Sequence, residues 1–233
     1  MRKETAFRGI VYAAGLVILA LGITLNAKVG LGTSPLVSVA YCVSELTDIS
    51  FPDATLLEYC AFVLIELILH AVTKAGKAAV ILDVLQIPLS LVFTRFMNLF
   101  SGYIPDFSTQ FPDSAWGSIP VRLLILLAAI LCTGVGASMS IHMRIVPNPG
   151  DGIVQAFSDV SGRETGFVKN CFDVVNVSIA AVLGLVFLGR LSGVGIGTVV
   201  AVICVGRVMF LFNRLCLDKL RQLTGVKGKS PAA

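Results

Sequence analysis

The sequence predicts an all-α polytopic membrane protein with six transmembrane helices, arranged as two inverted three-helix repeats. Each repeat is expected to carry a short broken or re-entrant helix after its first span. The first reason is composition: 56% of the 233 residues are hydrophobic and 14% are charged, whereas a soluble domain carries about 25% charged residues. The mean hydropathy of +0.89 also argues against a soluble domain. The distribution of charge and an internal recurrence provide the other two reasons.

Six apolar segments approach the ~20 residues that a helix needs to cross the hydrocarbon core of a membrane. They cover approximately residues 9–27, 54–72, 78–100, 119–141, 167–188 and 194–215. Lys and Arg concentrate at the N-terminus, after the second segment and in the C-terminal tail, with Arg190 as the exception. The connection 104–118 has no Lys or Arg and carries Asp106 and Asp113. Because basic residues remain on the cytoplasmic side, we expect both termini inside and the acidic loop outside.

The two halves of the chain share residues at a nearly constant separation. Arg8, Gly22, Cys60, Arg95, Met97 and Phe100 recur 111 to 114 residues later as Arg122, Gly136, Cys171, Arg207, Met209 and Phe212. Three spans in each half place the second copy upside down, and inverted repeats are typical of transporters that bind their solute near the bilayer midplane. The predicted organisation is a first repeat (1–103), an external acidic loop (104–118), a second repeat (119–216) and a basic cytoplasmic tail (217–233).

A shorter apolar segment follows the first span of each half. Residues 36–46 follow the sequence Gly30-Leu31-Gly32-Thr33-Ser34-Pro35, and residues 153–160 follow Pro147-Asn148-Pro149-Gly150-Asp151-Gly152. At ~1.5 Å per residue, 36–46 spans only ~16 Å, about half a bilayer. Because Gly and Pro break helices, the segments are either re-entrant half-helices lining a cavity or capped helices at the membrane surface. The same break in both copies slightly favours the first alternative.

Two glycine-rich motifs carry a resemblance to a known family. The stretch Lys28-Val29-Gly30-Leu31-Gly32-Thr33-Ser34-Pro35-Leu36, with the later Asn148-Pro149-Gly150-Asp151-Gly152, resembles the YitT/YczE family of bacterial integral membrane proteins. The six-span organisation resembles that family over nearly the whole chain, and the basic tail is similar to the short YczE-type branch. The resemblance implies a bacterial cytoplasmic (inner) membrane protein loosely associated with transport. It supplies no reaction and no catalytic residues.

Polar residues inside apolar segments are candidate functional residues, since an ionisable group in hydrocarbon is costly. Glu66 is the deepest acid: unpaired, it would carry a proton, and paired with an arginine it would be structural. Arg95 and Arg207 occupy equivalent positions. They would clamp a carboxylate or phosphate from both sides, or else snorkel or form structural ion pairs. Asp173 shares a helix face with Asn176 and with a possible structural partner, Lys169.

The expected substrate-binding residues therefore come from both breaks and from the polar positions of the spans: Asn26, Thr33, Ser34, Glu66, Arg95, Asn148, Asp151, Asp173, Asn176 and Arg207. For Asp151 the alternative role is a helix cap. No spacing indicates a metal site, a cofactor-binding loop or a catalytic triad. We therefore expect no metal, no cofactor and no catalytic residues, and an intramembrane enzyme is disfavoured.

These features predict an inner-membrane transporter or permease for a small polar or anionic solute, with its site near the midplane between the repeats. The alternative is a non-transporting subunit that binds a lipid or small ligand and works with a partner chain. The small size and the lack of an ATPase motif favour that alternative. The expected partners are membrane lipid, a small-molecule or ion substrate, and a second copy or a partner subunit. Nothing indicates nucleic acid.

Overall fold

A computed structural model of the chain describes residues 2–111 and 114–225. This part of the chain is helical, without a β-strand, and its eight α-helices are α1 (Arg2–Val29), α2 (Ser38–Leu46), α3 (Phe51–Val72), α4 (Lys77–Tyr103), α5 (Ile119–Met143), α6 (Pro149–Ser161), α7 (Thr165–Leu183) and α8 (Ile196–Thr224). A 3-10 turn, Pro35–Val37, leads into α2, and a π-helical turn, Gly184–Leu188, extends α7.

Six of these helices are long and apolar enough to cross a membrane: α1, α3, α4, α5, α7 with its π turn, and α8. This confirms the six predicted spans. Large apolar side chains such as Leu64 and Ile68 of α3 and Val84 and Leu91 of α4 are exposed on the outside of the bundle. Such a surface fits a lipid environment, in which the backbone hydrogen bonds are satisfied within each helix.

The ends of two predicted segments differ from the structure. Helix α8 continues to Thr224, although the sixth apolar segment was expected to end near residue 215. The extra turns are amphipathic, and Leu217 and Leu220 pack against the bundle, which keeps the chain helical after it becomes polar. Asp113 of the predicted acidic loop and residues 226–233 of the predicted tail lie outside the described residues.

An antiparallel pair, α1 and α5, forms the centre of the bundle. Arg8 Nε donates to the carbonyl of Met143 over 2.6 Å, and Arg122 Nε donates to the carbonyl of Val29 over 2.8 Å. In each case Nη2 reaches the carbonyl of the next residue. Each arginine thus binds the last carbonyls of the other helix, where the partial negative charge of a helix dipole lies.

Glycines let these two helices approach closely. A Cβ at Gly22 would lie 2.5 Å from the backbone nitrogen of Thr133. A Cβ at Gly136 would overlap the backbone nitrogen of Leu19. Small residues at such crossings bring helix backbones together in membranes, where apolar side chains gain little from leaving lipid.

The two ends of the helical bundle can be distinguished by the helix termini that lie at each of them. We call the end at which α1 begins the amino-terminal face. Helix α8 begins at the opposite face, where Gly197 N donates to Leu31 O over 2.7 Å. It ends at the amino-terminal face, where Gly225 lies beside Glu4. Both ends of the described chain therefore lie on one face.

The order of long and short helices is the same in the two halves of the chain. In α1–α4 and again in α5–α8, a long helix is followed by a short one and then by two long ones. The helix contacts correspond as well. The fourth helix of each half packs on the first helix of the same half, as α4 does on α1 and α8 on α5. The third helix of each half packs on the short helix of the other half, as α3 does on α6, and α7 on α2 with its preceding turn.

Candidate functional site

The two helix breaks meet inside the bundle. Leu36, in the turn that leads into α2, packs directly on Gly150 in the first turn of α6. A side chain at position 150 would overlap the side chain of Leu36 and displace it, so glycine allows the two breaks to pack this closely. Asn148 caps α6 by accepting a hydrogen bond from Gly150 N at 3.4 Å, a common role for asparagine.

A cavity of about 290 Å³, here called the central cavity, lies at this meeting point. Ser34 from the first break and Asn148 and Asp151 from the second line its wall. Lys169, Asn170 and Asp173 of α7 contribute further polar side chains to the lining. The cavity therefore brings the first break together with the second break and the polar face of α7, both of which follow it by more than one hundred residues in the sequence.

The long helices show how far the cavity is from the ends of the bundle. Leu19 and Ile23 of α1 line it, and they lie ten and six residues before the end of that helix. Thr133 and Ala137 of α5 also line it, ten and six residues before the end of α5. At 1.5 Å per residue, these positions are about 15 and 9 Å from the helix ends. The cavity thus reaches the inner turns of both helices.

Two buried polar atoms without hydrogen-bond partners belong to residues of the central cavity. They are the Tyr59 hydroxyl and Asp173 Oδ1. Asp173 Oδ2 lies 3.7 Å from Lys169 Nζ, which is its one ion-pair partner among the described residues. A buried polar atom without a partner costs about 1 to 3 kcal/mol, so the packing around these two atoms leaves a hydrogen-bonding capacity unused beside the cavity.

Asp151 adds a second acid to the cavity. It lies in the first turn of α6, where the helix dipole favours a negative charge. Burial raises the pKa of Asp151, while the positive charge of Lys169 opposes that change. The negative charge of Asp173 raises the pKa further. The cavity lining thus contains one lysine and two acids.

A second cavity, of about 420 Å³, lies beside the central cavity on the side of the amino-terminal face. It begins at the chain 144–147, directly after the end of α5, and Gln155 and Thr165 line its side. The two cavities share Asp151 and Lys169 in their walls. The central cavity therefore adjoins this second cavity, here called the vestibule, which lies toward the amino-terminal face.

Backbone hydrogen bonds separate the central cavity from the opposite face. Thr33 N donates to Gly193 O over 2.9 Å, and Gly197 N donates to Leu31 O over 2.7 Å. Gly32 has a φ of +113° and its Cβ position lies 2.5 Å from Thr198 Oγ1, so the contact depends on glycine. The cavity beyond this seal, lined by residues 30–32 and 190–196, shares no lining residue with the central cavity.

The structure brings four of the ten predicted substrate-binding residues to the central cavity: Ser34, Asn148, Asp151 and Asp173. Thr33 lies in the seal instead, with its hydroxyl buried and unpartnered. Asn26 is buried in α1, and its Oδ1 is also unpartnered. Asn176 is buried and donates to Phe172 O over 3.2 Å in its own helix.

The remaining three predicted residues lie elsewhere. Glu66 is buried among α3, α4 and α6. The Arg95 side chain is 54% exposed and pairs with Asp53 at 2.8 Å, and Arg207 is exposed on α8. Neither arginine lines the central cavity. The expected anion clamp is therefore not formed there, because both positions lie on exposed helix faces.

Tyr59 is the cavity residue that the sequence analysis missed. It is fully buried in α3, beside the meeting point of the two breaks. A phenol within an apolar span could have been recognised, because a buried tyrosine hydroxyl usually has a hydrogen-bond partner. The sequence analysis also did not predict the packing of Gly152 against other helices, since its neighbours, Glu66 and Gln86, come from α3 and α4.

Comparison with known proteins places the chain in a family. The protein YyaS of Bacillus subtilis (strain 168), described as uncharacterized, is 23% identical over 211 residues, which cover 86% of this chain and 90% of that protein. No solved structure matches the chain. A family model, described as a family of unknown function (DUF6198), matches residues 6–214, and the chain therefore belongs to the DUF6198 family.

Proposed function

We propose that the protein is a membrane permease that binds a small polar solute in the central cavity and releases it by alternating access. One observation carries this proposal. Both helix breaks and the polar face of α7 line a single cavity that adjoins a vestibule toward the amino-terminal face, while backbone hydrogen bonds join the two halves of the chain on the side of the opposite face. Non-helical backbone at membrane depth is tolerated where it lines such a cavity.

An inverted repeat is part of the proposal. The reciprocal bonds of Arg8 and Arg122 support it, as do the matching helix order and the matching contacts of the two halves. We propose that α2 and α6 are re-entrant half-helices whose first turns meet near the bilayer midplane. Discontinuous helices at the interface of two repeats form the solute sites of several transporter folds.

The lining of the cavity favours a solute with a cationic group, such as an amine or a zwitterion. The sequence basis for an anionic solute was the arginine pair, and those side chains lie outside the cavity. Asp151 and Asp173 instead offer acceptors for an ammonium group, and Lys169 offers a donor for a carboxylate.

A difference between the two halves supports the proposal of alternating access. Leu31 contributes its carbonyl to the seal at the opposite face. Its counterpart 114 residues later is Ile145, which lines the open vestibule at the amino-terminal face. Exchange of these two arrangements would close one side of the cavity and open the other, as rocking of one repeat against another does in transporters.

We further propose that the protein lies in the bacterial cytoplasmic membrane with the amino-terminal face in the cytoplasm. The basic residues near the N-terminus and after the second span support this orientation, since such residues remain inside. A relation to the YitT/YczE family, carried by the two glycine-rich motifs, is consistent with the same location.

The test is a thermal-stability screen of the purified protein with panels of small amines, zwitterions and anions, followed by uptake into proteoliposomes. We expect amines or zwitterions to stabilise the protein, and Asp173→Asn to weaken the effect about 10-fold or more, as the loss of a charged hydrogen bond does. Asp53→Asn is the control, because Asp53 is an acid outside the cavity. Stabilisation that is equal in both variants, or absent, would remove the basis for the proposal.

The same experiment distinguishes the alternative function, a subunit that binds a lipid or small ligand and works with a partner chain. Binding with a dependence on Asp173, but without flux in liposomes that contain this chain alone, would favour that alternative. Flux without any other protein would exclude it.

A further inference from the structure

A second buried polar cluster lies outside the central cavity, where α3, α4 and α6 meet. Glu66 is 1% exposed, and its Oε2 accepts a hydrogen bond from Gln86 Nε2 over 2.7 Å. Glu66 Oε1 and Gln86 Oε1 have no partner. No ion pair of the described residues includes Glu66. The carboxyl group thus has one neutral donor and no neutralising cation.

The backbone of α6 lies directly on this carboxyl group. A Cβ at Gly152 would be 2.8 Å from both oxygens of Glu66 and 2.9 Å from Gln86 Nε2. A side chain at position 152 would displace the ends of Glu66 and Gln86, so α6 packs closely on the carboxyl group because this residue is glycine. Asp151, the residue directly before Gly152, and Asn148, one turn earlier, line the central cavity, so the position of α6 links the two sites.

Two further titratable groups connect Glu66 to the amino-terminal face. His70 Nδ1 and Asp83 Oδ2 lie 2.6 Å apart. His70 is half-buried and lies two residues from the end of α3, whereas Glu66 lies six residues, about 9 Å, from that end. Asp83 is 3% exposed and, on α4, lies one turn from Gln86. The ionisable groups facing Glu66 are therefore Asp83 and, through it, His70, while α6 presents the uncharged Gly152.

We propose that Glu66 is a proton-binding site, loaded from the amino-terminal face through His70 and Asp83, and that its occupancy controls the position of α6. A proton from water passes through the His70–Asp83 pair to a Glu66 oxygen, and the pair returns to its initial state. The neutral carboxyl group is compatible with the packed position of Gly152. The ionised group needs donors or water, and it obtains them when α6 moves away. Proton binding would thus be coupled to the wall of the central cavity.

Infrared spectroscopy of the purified protein in lipid vesicles tests the site directly. Between alkaline and acidic pH, the wild type should gain the carbonyl band of a buried, protonated carboxyl group. Glu66→Gln should lose that band. The matched control is Glu58→Gln, which removes another buried carboxyl of α3, with unpartnered oxygens but away from Gly152. A Glu66→Gln spectrum that keeps every titrating band of the wild type would overturn the proposal.

Hydrogen exchange of the α6 segment tests the coupling. After correction for intrinsic exchange rates, we expect the wild type and Glu58→Gln to be more protected at low pH. Glu66→Gln, which resembles the neutral acid, should be protected at every pH. The wild-type measurement remains decisive if the variant does not fold, since pH-independent exchange in α6 would contradict the coupling. This experiment needs no solute. If the exchange of α6 depends on pH as expected but no solute stabilises the protein, only the proposed permease function would be contradicted.

Discussion

Substitution of Gly22 by alanine tests the α1–α5 crossing on which the rest of the fold depends. The new Cβ would lie 2.5 Å from both the backbone nitrogen and Oγ1 of Thr133 and 2.9 Å from the carbonyl of Ala129. Optimal separations between heavy atoms are about 3.5 to 4.0 Å, so the helices would have to separate by about 1 Å. Two of the three neighbouring atoms are backbone atoms, which a change of rotamer does not remove.

The expected magnitude follows from two opposing effects. Overpacking of a closely packed site costs about 1 to 3 kcal/mol. Replacement of glycine by alanine within a helix stabilises the folded protein by up to about 1 kcal/mol, because alanine has the higher helix propensity. We therefore expect Gly22→Ala to lower the free energy of unfolding by about 1 to 2 kcal/mol, as measured by denaturant or detergent titration followed by circular dichroism.

Gly9→Ala is the matched control, because Gly9 lies in the same helix and a Cβ there meets no atom within 4 Å. It should leave the protein equally stable or stabilise it by up to about 1 kcal/mol. The reasoning would be refuted if Gly22→Ala were as stable as Gly9→Ala. Such a result would mean that α1 and α5 separate without a measurable loss.

Three further predictions follow from the same contacts. Arg8→Ala and Arg122→Ala should each lower the free energy of unfolding by about 1.5 to 3 kcal/mol, as expected for hydrogen bonds from a charged group; a change below about 0.5 kcal/mol in both would contradict the reciprocal caps. Gly32→Ala should open the seal at the opposite face and increase hydrogen exchange of the segment 190–199, whereas unchanged exchange would show that the seal tolerates a side chain. In a background without native cysteines, Thr109→Cys and Gln155→Cys should react with an impermeant maleimide from opposite sides of the membrane, because these residues line cavities at opposite faces; labelling of both from one side would contradict the assigned faces.

Residues that recur in the two halves of the sequence have matching contacts at some positions, but they do not form the predicted site at others. Arg8 and Arg122 bind each other's helix ends in the same way, as equivalent residues of two copies would. Arg95 and Arg207 recur with the same regularity, yet the first forms an exposed ion pair and neither reaches the central cavity. A shared position in a repeat therefore predicts a shared environment more directly than it predicts a shared ligand.

The amino-acid sequence by itself determined the membrane class, the six spans and the two interruptions. These properties depend on the length of apolar segments and on local backbone preferences, both of which can be read over a few neighbouring residues. The tertiary structure decided which polar residues meet. Tyr59 reaches the central cavity and Glu66 lies against Gly152, because helices distant in sequence pack at particular rotations and depths. Those rotations arise from side-chain and backbone contacts between helices, which the periodicity of one segment does not contain.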